Sequence, residues 1–273
     1  MTYSDTHCHL DFDTFDADRD EVVQRALSAG LEFIINPGID LPTSLAAVQL
    51  AKTYPGFCYA MVGLHPNESH LFDVEAQSRL AVLAREPGVV AIGEIGLDYY
   101  RDRCPPAIQH QALIKQLALA QKTLLPICVH NRDATADLFS ILREWWQNLP
   151  EKHPLKKTPG VLHAWSENYT SAIPFMEMGF RFGIGGPVSF KNAPDRHEFI
   201  KQLPLEFLLL ETDAPFLTPV PFRGRRNEPG YIPYIAEAVA KLKGMTAKEI
   251  GMVATLNAKL LFKFRETNSH HSG

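Results

Sequence analysis

Histidines and carboxylates stand at the ends of several short apolar runs in this 273-residue chain. His7 and His9 are two residues apart, so within a strand both rings would point to the same face and could hold one metal from one side. Glu94 lies among glycines and apolar residues in GEIGLD, where a neighbouring cation would remove the cost of a buried charge. Three further runs end in His130, His163 and Asp213. Together these residues predict a metal centre.

The residue types narrow the metal only in part. A lone His-x-His pair is weak evidence for a metal site, because a histidine is often a hydrogen-bonded core residue. Four histidines and two acids on five strand ends are hard to explain by structure alone, and we therefore favour metal binding. Imidazole and carboxylate ligands without thiolate suit Zn²⁺, Mn²⁺, Mg²⁺, Fe²⁺ and Ni²⁺, so the identity of the metal stays open.

Eight apolar, β-rich runs must position these side chains. They cover residues 3–9, 32–38, 57–65, 89–98, 126–130, 160–165, 181–186 and 207–213. Helix-like segments separate them, such as 20–29, 109–122, 134–146 and 174–178. Alternating strands and helices imply parallel pairing, and the first run ends in histidines rather than in the glycine-rich phosphate turn of an open doubly wound sheet. The sequence predicts an α/β fold, a single (β/α)8 TIM-type barrel with its metal site at the C-terminal ends of the strands.

Length and composition fit one folded unit. Hydrophobic residues make up 45% of the chain and charged residues 21%, as in ordinary globular proteins. Because no linker rich in proline, glycine or serine divides the sequence, we expect one hydrolase barrel over residues 1–265. The polar stretch 266–273 is expected to be a disordered tail.

The charge and the apolar patterning exclude some kinds of binding. A formal net charge of −4 and a pI near 6.3 give no overall field that would attract nucleic acid or an anionic membrane. The sequence contains no 18-residue apolar run, no signal-peptide pattern and no CxxC pair. We expect a monomer in the cytoplasm, without membrane association and with reduced, buried cysteines.

Several motifs strongly resemble the TatD-type deoxyribonuclease family, within the wider group of amidohydrolase-like metal barrels. They are DTHCHLD, GLHP, GEIGLDYY, HNRDA, LHAWS, GIGG, LLLETDAP and RGRRNEP, between Asp5 and about Phe264. The resemblance implies a divalent-metal-dependent hydrolase, in the first place a deoxyribonuclease of exonuclease type that cleaves phosphodiester bonds with a metal-activated water. One departure is Glu167, where the family often has glycine.

The resemblance also implies two divalent metal ions, for which Mg²⁺, Mn²⁺ and Zn²⁺ are the candidates. The first would be held by His7, His9, Glu94 and Asp213, and the second by Glu94, His130 and His163. Glu94 would then bridge the two. Metals about 3.5–4 Å apart can clamp the attacking and leaving oxygens of an in-line displacement.

Catalytic residues are expected beside the metals. Asp213 could orient or deprotonate the attacking water as a general base, or it could act only as a ligand. His65, in GLHP, could contact the scissile phosphate or the leaving group rather than a metal, or it could make only structural hydrogen bonds. Glu211 is two residues before Asp213 and would orient a ligand histidine from outside the metal shell.

A basic turn follows the eighth run, in a region where many barrels bind phosphate. It contains Arg223, Arg225 and Arg226, whose guanidinium groups suit phosphodiester oxygens. Arg132 follows another strand end and could extend this patch as substrate-binding surface, as could Lys191, Arg101 and Arg103. Aromatic residues near strand ends that could stack on bases are Tyr99, Tyr100, Trp165 and Phe190. The expected partner is a nucleic acid substrate, DNA above all.

Two other functions stay open. The same metal chemistry could hydrolyse an ester or amide, including an aminoacyl ester on transfer RNA. A catalytically silent barrel that only binds nucleic acid is a third hypothesis, against which the complete ligand set argues. An assay on labelled DNA and acylated RNA side by side would separate them.

Overall fold

Eight parallel strands form one sheet across residues 2–101 and 103–264, the part of the chain that this computed structural model describes. Each strand pairs with the next one in the sequence. The strands are β1 (Tyr3–Asp5), β2 (Leu31–Pro37), β3 (Cys58–Val62), β4 (Val89–Asp98), β5 (Ile127–Arg132), β6 (Gly160–Leu162), β7 (Arg181–Ile184) and β8 (Leu208–Leu210). Parallel strands in sequence order, with helical connections, form a (β/α)8 barrel.

The described part of the chain contains nine α-helices, which lie between the strands and after the last one. They are α1 (Arg19–Ser28), α2 (Leu41–Thr53), α3 (Val74–Leu83), α4 (Pro106–Thr123), α5 (Thr135–Asn148), α6 (Tyr169–Glu177), α7 (Pro194–Gln202), α8 (Ile232–Lys243) and α9 (Ala247–Phe262). Within the described residues, none of these helices combines the length and the apolar character needed to span a membrane.

Hydrogen bonds connect the last strand to the first strand near the C-terminal ends of both. The Thr6 N–H donates to the Leu210 carbonyl oxygen at 3.0 Å, and the Asp213 N–H donates to the His7 carbonyl oxygen at 2.8 Å. Just beyond β1 and β8, an isolated parallel bridge joins two more residues of these segments. These contacts bring together the segments after β1 and β8 and nearly close the barrel.

Apolar side chains fill two layers. The larger cluster lies between the strands and the helices and includes Phe175 and Phe182. The smaller cluster combines strand residues such as Met61 and Leu209 with Phe262 at the end of α9. Because α9 packs there, apolar side chains fill the interior at the N-terminal ends of the strands. Polar residues lie at the C-terminal ends.

The prediction of a single (β/α)8 barrel is confirmed, but the predicted ends of some strands and helices were wrong. β1 ends at Asp5 and β6 ends at Leu162, so His7, His9 and His163 lie just after strands rather than inside them. Backbone hydrogen bonds to neighbouring segments still hold these residues in place. The His9 N–H, for example, donates at 2.8 Å to a carbonyl oxygen after β8.

Two further bounds differ for local reasons. β8 ends before Asp213, whose φ of +55° lies outside the strand region. α6 begins well before Pro174, because the Asn168 side chain accepts a hydrogen bond from the Ser171 N–H and caps the helix at that point. The predicted tail, 266–273, lies outside the described residues.

Candidate metal centre

Two groups of nitrogen and oxygen ligands meet at the C-terminal ends of the strands. In the first group, the Nε2 atoms of His7 and His9 lie 3.2 Å apart. His7 Nε2 is 3.3 Å from Glu94 Oε2, and His9 Nε2 is 3.6 Å from Asp213 Oδ1. Facing imidazole nitrogens between two carboxylates make a donor set that fits a divalent cation.

The second group uses the other oxygen of the same glutamate. Glu94 Oε1 lies 2.8 Å from His163 Nε2 and 2.9 Å from His130 Nδ1. These two ring nitrogens are 3.4 Å apart. Glu94 therefore presents one oxygen to each pair of histidines, and both groups have the composition of a metal site.

Glu94 is buried in β4 and is 3% exposed. The strand approaches its neighbour closely at Gly96, where φ is +146° and an added Cβ would lie 2.0 Å from the His130 carbonyl oxygen. Burial by itself would raise the pKa of the Glu94 carboxyl, but the imidazoles of His163, His65 and His130 outweigh it and hold this pKa well below its usual range. Glu94 is therefore ionised, as a metal ligand must be.

Asp98, at the end of β4, orients His130 and was missed in the sequence. Its Oδ2 lies 3.2 Å from His130 Nε2, and its Oδ1 accepts hydrogen bonds from the N–H groups of Tyr100 and Arg101. Burial opposes ionisation, but these hydrogen bonds lower the pKa of Asp98 to about 2. An ionised Asp98 can accept the Nε2 proton of His130, which would leave the Nδ1 lone pair free for a cation beside Glu94. The signal was its spacing of four residues from Glu94, which puts both on one face.

Glu211 and His163 form a looser pair behind the second group. His163 Nδ1 is 3.7 Å from Glu211 Oε1, which accepts the Ala164 N–H at 2.6 Å. His163 Nδ1 and Glu211 Oε2 are buried without a hydrogen-bond partner among the described residues. Gly183 makes room for this carboxyl, since a Cβ there would lie 2.0 Å from Oε2. The arrangement suits a residue that orients a ligand histidine.

The two histidines after β1 are supported by different neighbours. His7 Nδ1 lies 3.4 Å from Cys128 Sγ, and the His7 ring stacks on the His163 ring with centroids 4.0 Å apart. The His9 ring stacks on Phe12 at 4.7 Å. Burial, together with the neighbouring His163, lowers the pKa of His7. The His7 ring is therefore neutral, which is the form that binds a metal.

Asp5 joins two of the three chain segments that supply the first group. Its buried carboxyl accepts hydrogen bonds from the His7 N–H at 3.2 Å and from the Thr212 N–H at 3.0 Å, and it also contacts the Thr212 hydroxyl. Burial raises the pKa of Asp5 to about 8. Asp5 thus fixes the segment after β1 to the segment after β8, next to His7 and Asp213.

His65 lies at the edge of the second group. Its Nε2 is 3.5 Å from Glu94 Oε1, and its Nδ1 accepts the Asn67 N–H at 3.1 Å. Burial lowers the pKa of His65 to about 3, so the ring is neutral. Because Nδ1 is an acceptor, the single ring proton is on Nε2 and points toward the site. His65 therefore offers the site a hydrogen-bond donor.

Three of the four arginines expected to contact substrate are exposed, at the end of a strand or after one. Arg132 is the last residue of β5, and its guanidinium lies 4.1 Å above the Tyr100 ring. Arg223 lies 4.0 Å above the Phe190 ring. Arg225 is exposed in the same turn. These guanidinium groups are accessible to an anionic ligand.

Arg226 has different surroundings from the other three arginines. It donates two hydrogen bonds to the Asp18 carboxylate at 2.8 and 2.7 Å and one to the Thr14 carbonyl oxygen, and it packs over Phe15. Asp18 also pairs with Arg25 at 3.1 Å. Arg226 therefore ties the turn after β8 to the segment before α1.

The expectation that Trp165 is available for base stacking was wrong. This side chain is 3% exposed and packs against Phe175, Phe182 and Phe199 in the core. Tyr100, by contrast, is 61% exposed. Glu167, which follows in the same loop as Trp165, is half-buried, and the contact between His163 and Glu94 is intact.

The barrel and its ligand groups define a metal-dependent hydrolase, because a carboxylate between two sets of histidines can hold divalent cations beside a scissile bond. The sequence pattern of the family described as TatD related DNase matches residues 4–263. The chain belongs to this TatD-related DNase family.

Individual relatives support the same class. An uncharacterized metal-dependent hydrolase of Bacillus subtilis (strain 168), YabD, is 42% identical over 259 residues, which are 95% of this chain and 98% of the relative. The 3'-5' ssDNA/RNA exonuclease TatD of Edwardsiella piscicida is 36% identical over 254 residues, which are 91% of this chain and 95% of the relative. The crystal structure of YJJV, a TatD homologue from Escherichia coli K12, has a TM-score of 0.87 at 33% identity and covers 96% of this chain and 98% of that structure. The predicted family and the metal-dependent hydrolase class are confirmed.

Proposed function

We propose that this protein is an exonuclease that hydrolyses phosphodiester bonds of single-stranded nucleic acid, DNA above all, with two divalent cations. The observation that carries the proposal is the position of Glu94, whose two oxygens face two separate pairs of histidines. The name of the E. piscicida relative supports the substrate class and a 3'-5' direction.

In this proposal Glu94 is shared by the two cations. The remaining ligands would be His7, His9 and Asp213 for the first, and His130 and His163 for the second. When bound, the cations would neutralise phosphate charge, lower the pKa of a water and clamp the attacking and leaving oxygens. The donor set suits Mg²⁺, Mn²⁺ or Zn²⁺.

Asp213 is the proposed general base. Its Oδ1 faces the ring nitrogens of His7 and His9 at 3.8 and 3.6 Å, which leaves Oδ2 to accept a proton from the attacking water. Burial opposes ionisation of this carboxyl, but the hydrogen bond to His9 and the neighbouring imidazoles outweigh it and lower the pKa of Asp213. A carboxylate held in this way is ready to take up the proton.

His65 is the proposed donor to the scissile phosphate. Its Nε2 proton points into the site beside Glu94, and the neutral ring needs no prior loss of a proton. A hydrogen bond from Nε2 to a phosphate oxygen would favour the transition state, in which negative charge increases on that oxygen.

The arginines of the catalytic face are proposed to hold the rest of the strand. Arg132, Arg223 and Arg225 are exposed and can donate to phosphate oxygens. Arg226 is proposed to act through its ion pair with Asp18, by holding the turn that carries Arg223. The cationic groups are local, which agrees with the formal net charge of −4 for the whole chain.

We also propose that the protein acts as a monomer in the cytoplasm. One chain supplies every member of both ligand groups, so a second copy is not needed to complete the site. Cys8, Cys58, Cys104 and Cys128 are free and buried, which suits a reducing compartment. Light scattering during gel filtration and cell fractionation test the two parts of this proposal.

The function is tested with 5'-labelled DNA and RNA strands of one sequence, and with the matching duplex. The expected products are strands shortened stepwise from the 3' end, with single strands cut faster than duplex. Aminoacylated transfer RNA is assayed in parallel under the same metal conditions. Deacylation without any strand shortening would overturn the nuclease proposal in favour of ester hydrolysis.

A further inference from the structure

An open groove of about 500 Å³ lies outside the two ligand groups, between the segment after β7 and helix α8. We call it the β7–α8 groove. Its walls include Val188, Phe190, Lys191, Val220, Pro221 and Tyr234. The volume falls within the range of about 300–1,000 Å³ that is usual for sites of small organic ligands. The groove is therefore large enough for a nucleotide.

Three exposed apolar residues, which we call the ridge, lie on the chain segment that runs from Asp213 to this groove. The ridge consists of Phe216, Leu217 and Val220, which are 53%, 43% and 45% exposed. The Phe216 N–H donates to the Asp213 carbonyl oxygen at 2.9 Å, so the ridge begins directly beside the proposed base. The Phe216 ring also contacts Phe12 at 6.2 Å, and Phe12 stacks on His9. Val220 is itself a wall residue, so the chain segment that begins beside Asp213 reaches the groove at Val220.

The charge at the rim of the groove suits phosphate. Arg223 lies over the Phe190 ring at 4.0 Å, and Lys191 is exposed next to it. Among the described residues that line the groove, the carboxylate is that of Glu237, which pairs with Lys241 at 2.9 Å. The rim therefore combines apolar and aromatic walls with Arg223 and Lys191, which form no ion pair with a carboxylate in the described part of the chain.

We infer that the β7–α8 groove binds an unpaired nucleotide of the substrate strand, in the part of the strand that remains after cleavage. Its base would lie against Phe190 and Tyr234, and its phosphates would lie near Arg223 and Lys191. The inference rests on the proposed nuclease function and adds a reason for single-strand selection, because a base must leave the duplex stack to enter the groove. Aromatic faces stack on every base, so little sequence preference is expected.

The test measures binding and cleavage as functions of strand length. Binding of 5'-fluorescein oligothymidylates of two to eight nucleotides to metal-free protein is followed by fluorescence anisotropy, and kcat and KM are measured with metal. Phe190→Ala removes one stacking face, which corresponds to a loss of roughly 5- to 150-fold in affinity for a stacked base. The expected result is a Kd and a KM raised about ten-fold for long strands, with both constants for the dinucleotide and kcat unchanged.

Two further variants distinguish loss of the groove from loss of the fold. Lys191→Glu changes an exposed side chain at the rim and is expected to weaken binding of long strands only. Ile114→Ala changes a side chain on α4 that is 54% exposed, and it should alter neither constant.

The possible outcomes separate this inference from the proposed function. Equal losses of affinity for the dinucleotide and for long strands would overturn the groove. So would an unchanged affinity for long strands in both groove variants. If the wild type binds long strands more tightly than the dinucleotide but cleaves none of them, the groove stands and the nuclease proposal fails. If it cleaves strands without any length dependence, the groove fails and the nuclease proposal stands.

Discussion

Replacement of Glu94 is the most direct test of the metal centre, because this one side chain faces both ligand groups. Glu94→Ala removes Oε1, which is 2.8 Å from His163 Nε2, and Oε2, which is 3.3 Å from His7 Nε2. His9→Ala removes a ligand of the first group alone. We therefore expect wild type, His9→Ala and Glu94→Ala to hold two, one and close to no metal ions per chain.

The size of the effect on stability follows from linkage between binding and folding. An ion present at 100 times its Kd stabilises the folded state by about 2.7 kcal/mol, so two sites contribute about 5 kcal/mol. In a domain of this size, each kcal/mol shifts Tm by about 2–4 °C. Addition of metal should then raise the Tm of the wild type by roughly 10–20 °C, that of His9→Ala by about half as much and that of Glu94→Ala hardly at all.

The assay combines elemental analysis with calorimetry on protein that is first stripped of metal and then dialysed against Mn²⁺. Glu32→Ala is the matched control, because Glu32 pairs with Lys259 at a position remote from the ligand groups. Two ions retained by Glu94→Ala, with the full rise in Tm, would refute the shared ligand. Loss of one ion only would show that Glu94 belongs to a single group.

Four other outcomes are expected. Chelation should abolish hydrolysis and Mn²⁺ or Mg²⁺ should restore it, so full activity in protein shown by elemental analysis to be metal-free would contradict metal dependence. Arg223→Ala combined with Arg225→Ala should weaken single-strand binding and reduce its logarithmic salt slope by about 0.7 per lost phosphate contact, while hydrolysis of a small chromogenic diester stays near the wild-type rate. Asp213→Asn should lose about 10²–10⁴-fold in kcat on both substrates, and a loss confined to strands would exclude it as the base. The Arg226 guanidinium lowers the pKa of Asp18 to about 2, so the ion pair stabilises the fold above pH 4 and loses its effect as the pH falls toward 2. Urea unfolding of metal-free Asp18→Asn should therefore show a deficit of about 1 kcal/mol at pH 7 that vanishes near pH 2, and a deficit that does not depend on pH would contradict this assignment.

The strands that carry the site were predictable to different degrees. β4 was predicted at its observed bounds, since a long, continuous apolar run with glycines is typical of a strand buried on both faces. β1, β6 and β8 are only three residues long, and their bounds were set too far toward the site. Polar residues such as His163 and Asp213 follow these strands in extended or turn conformations that residue type alone does not distinguish from a strand.

The sequence by itself determined the barrel and the chemical nature of the site. Regular alternation of apolar runs and amphipathic segments leaves few topologies, and ligand-type residues at the ends of parallel strands must meet at one end of the barrel. This is why Glu94 and the ligand histidines could be named together before their distances were known.

The tertiary structure alone decided how each polar group is used. Arg226 pairs with Asp18, which is 208 positions away in the chain, and the sequence holds no sign of that contact. The carboxyl of Glu94 is ionised because the imidazoles of His163 and His130, which come from other parts of the barrel, lie beside it. Trp165 is buried because three phenylalanines from other elements surround it. Protonation, burial and pairing depend on neighbours that folding brings together over long sequence separations, and a local pattern of residues carries no record of those neighbours.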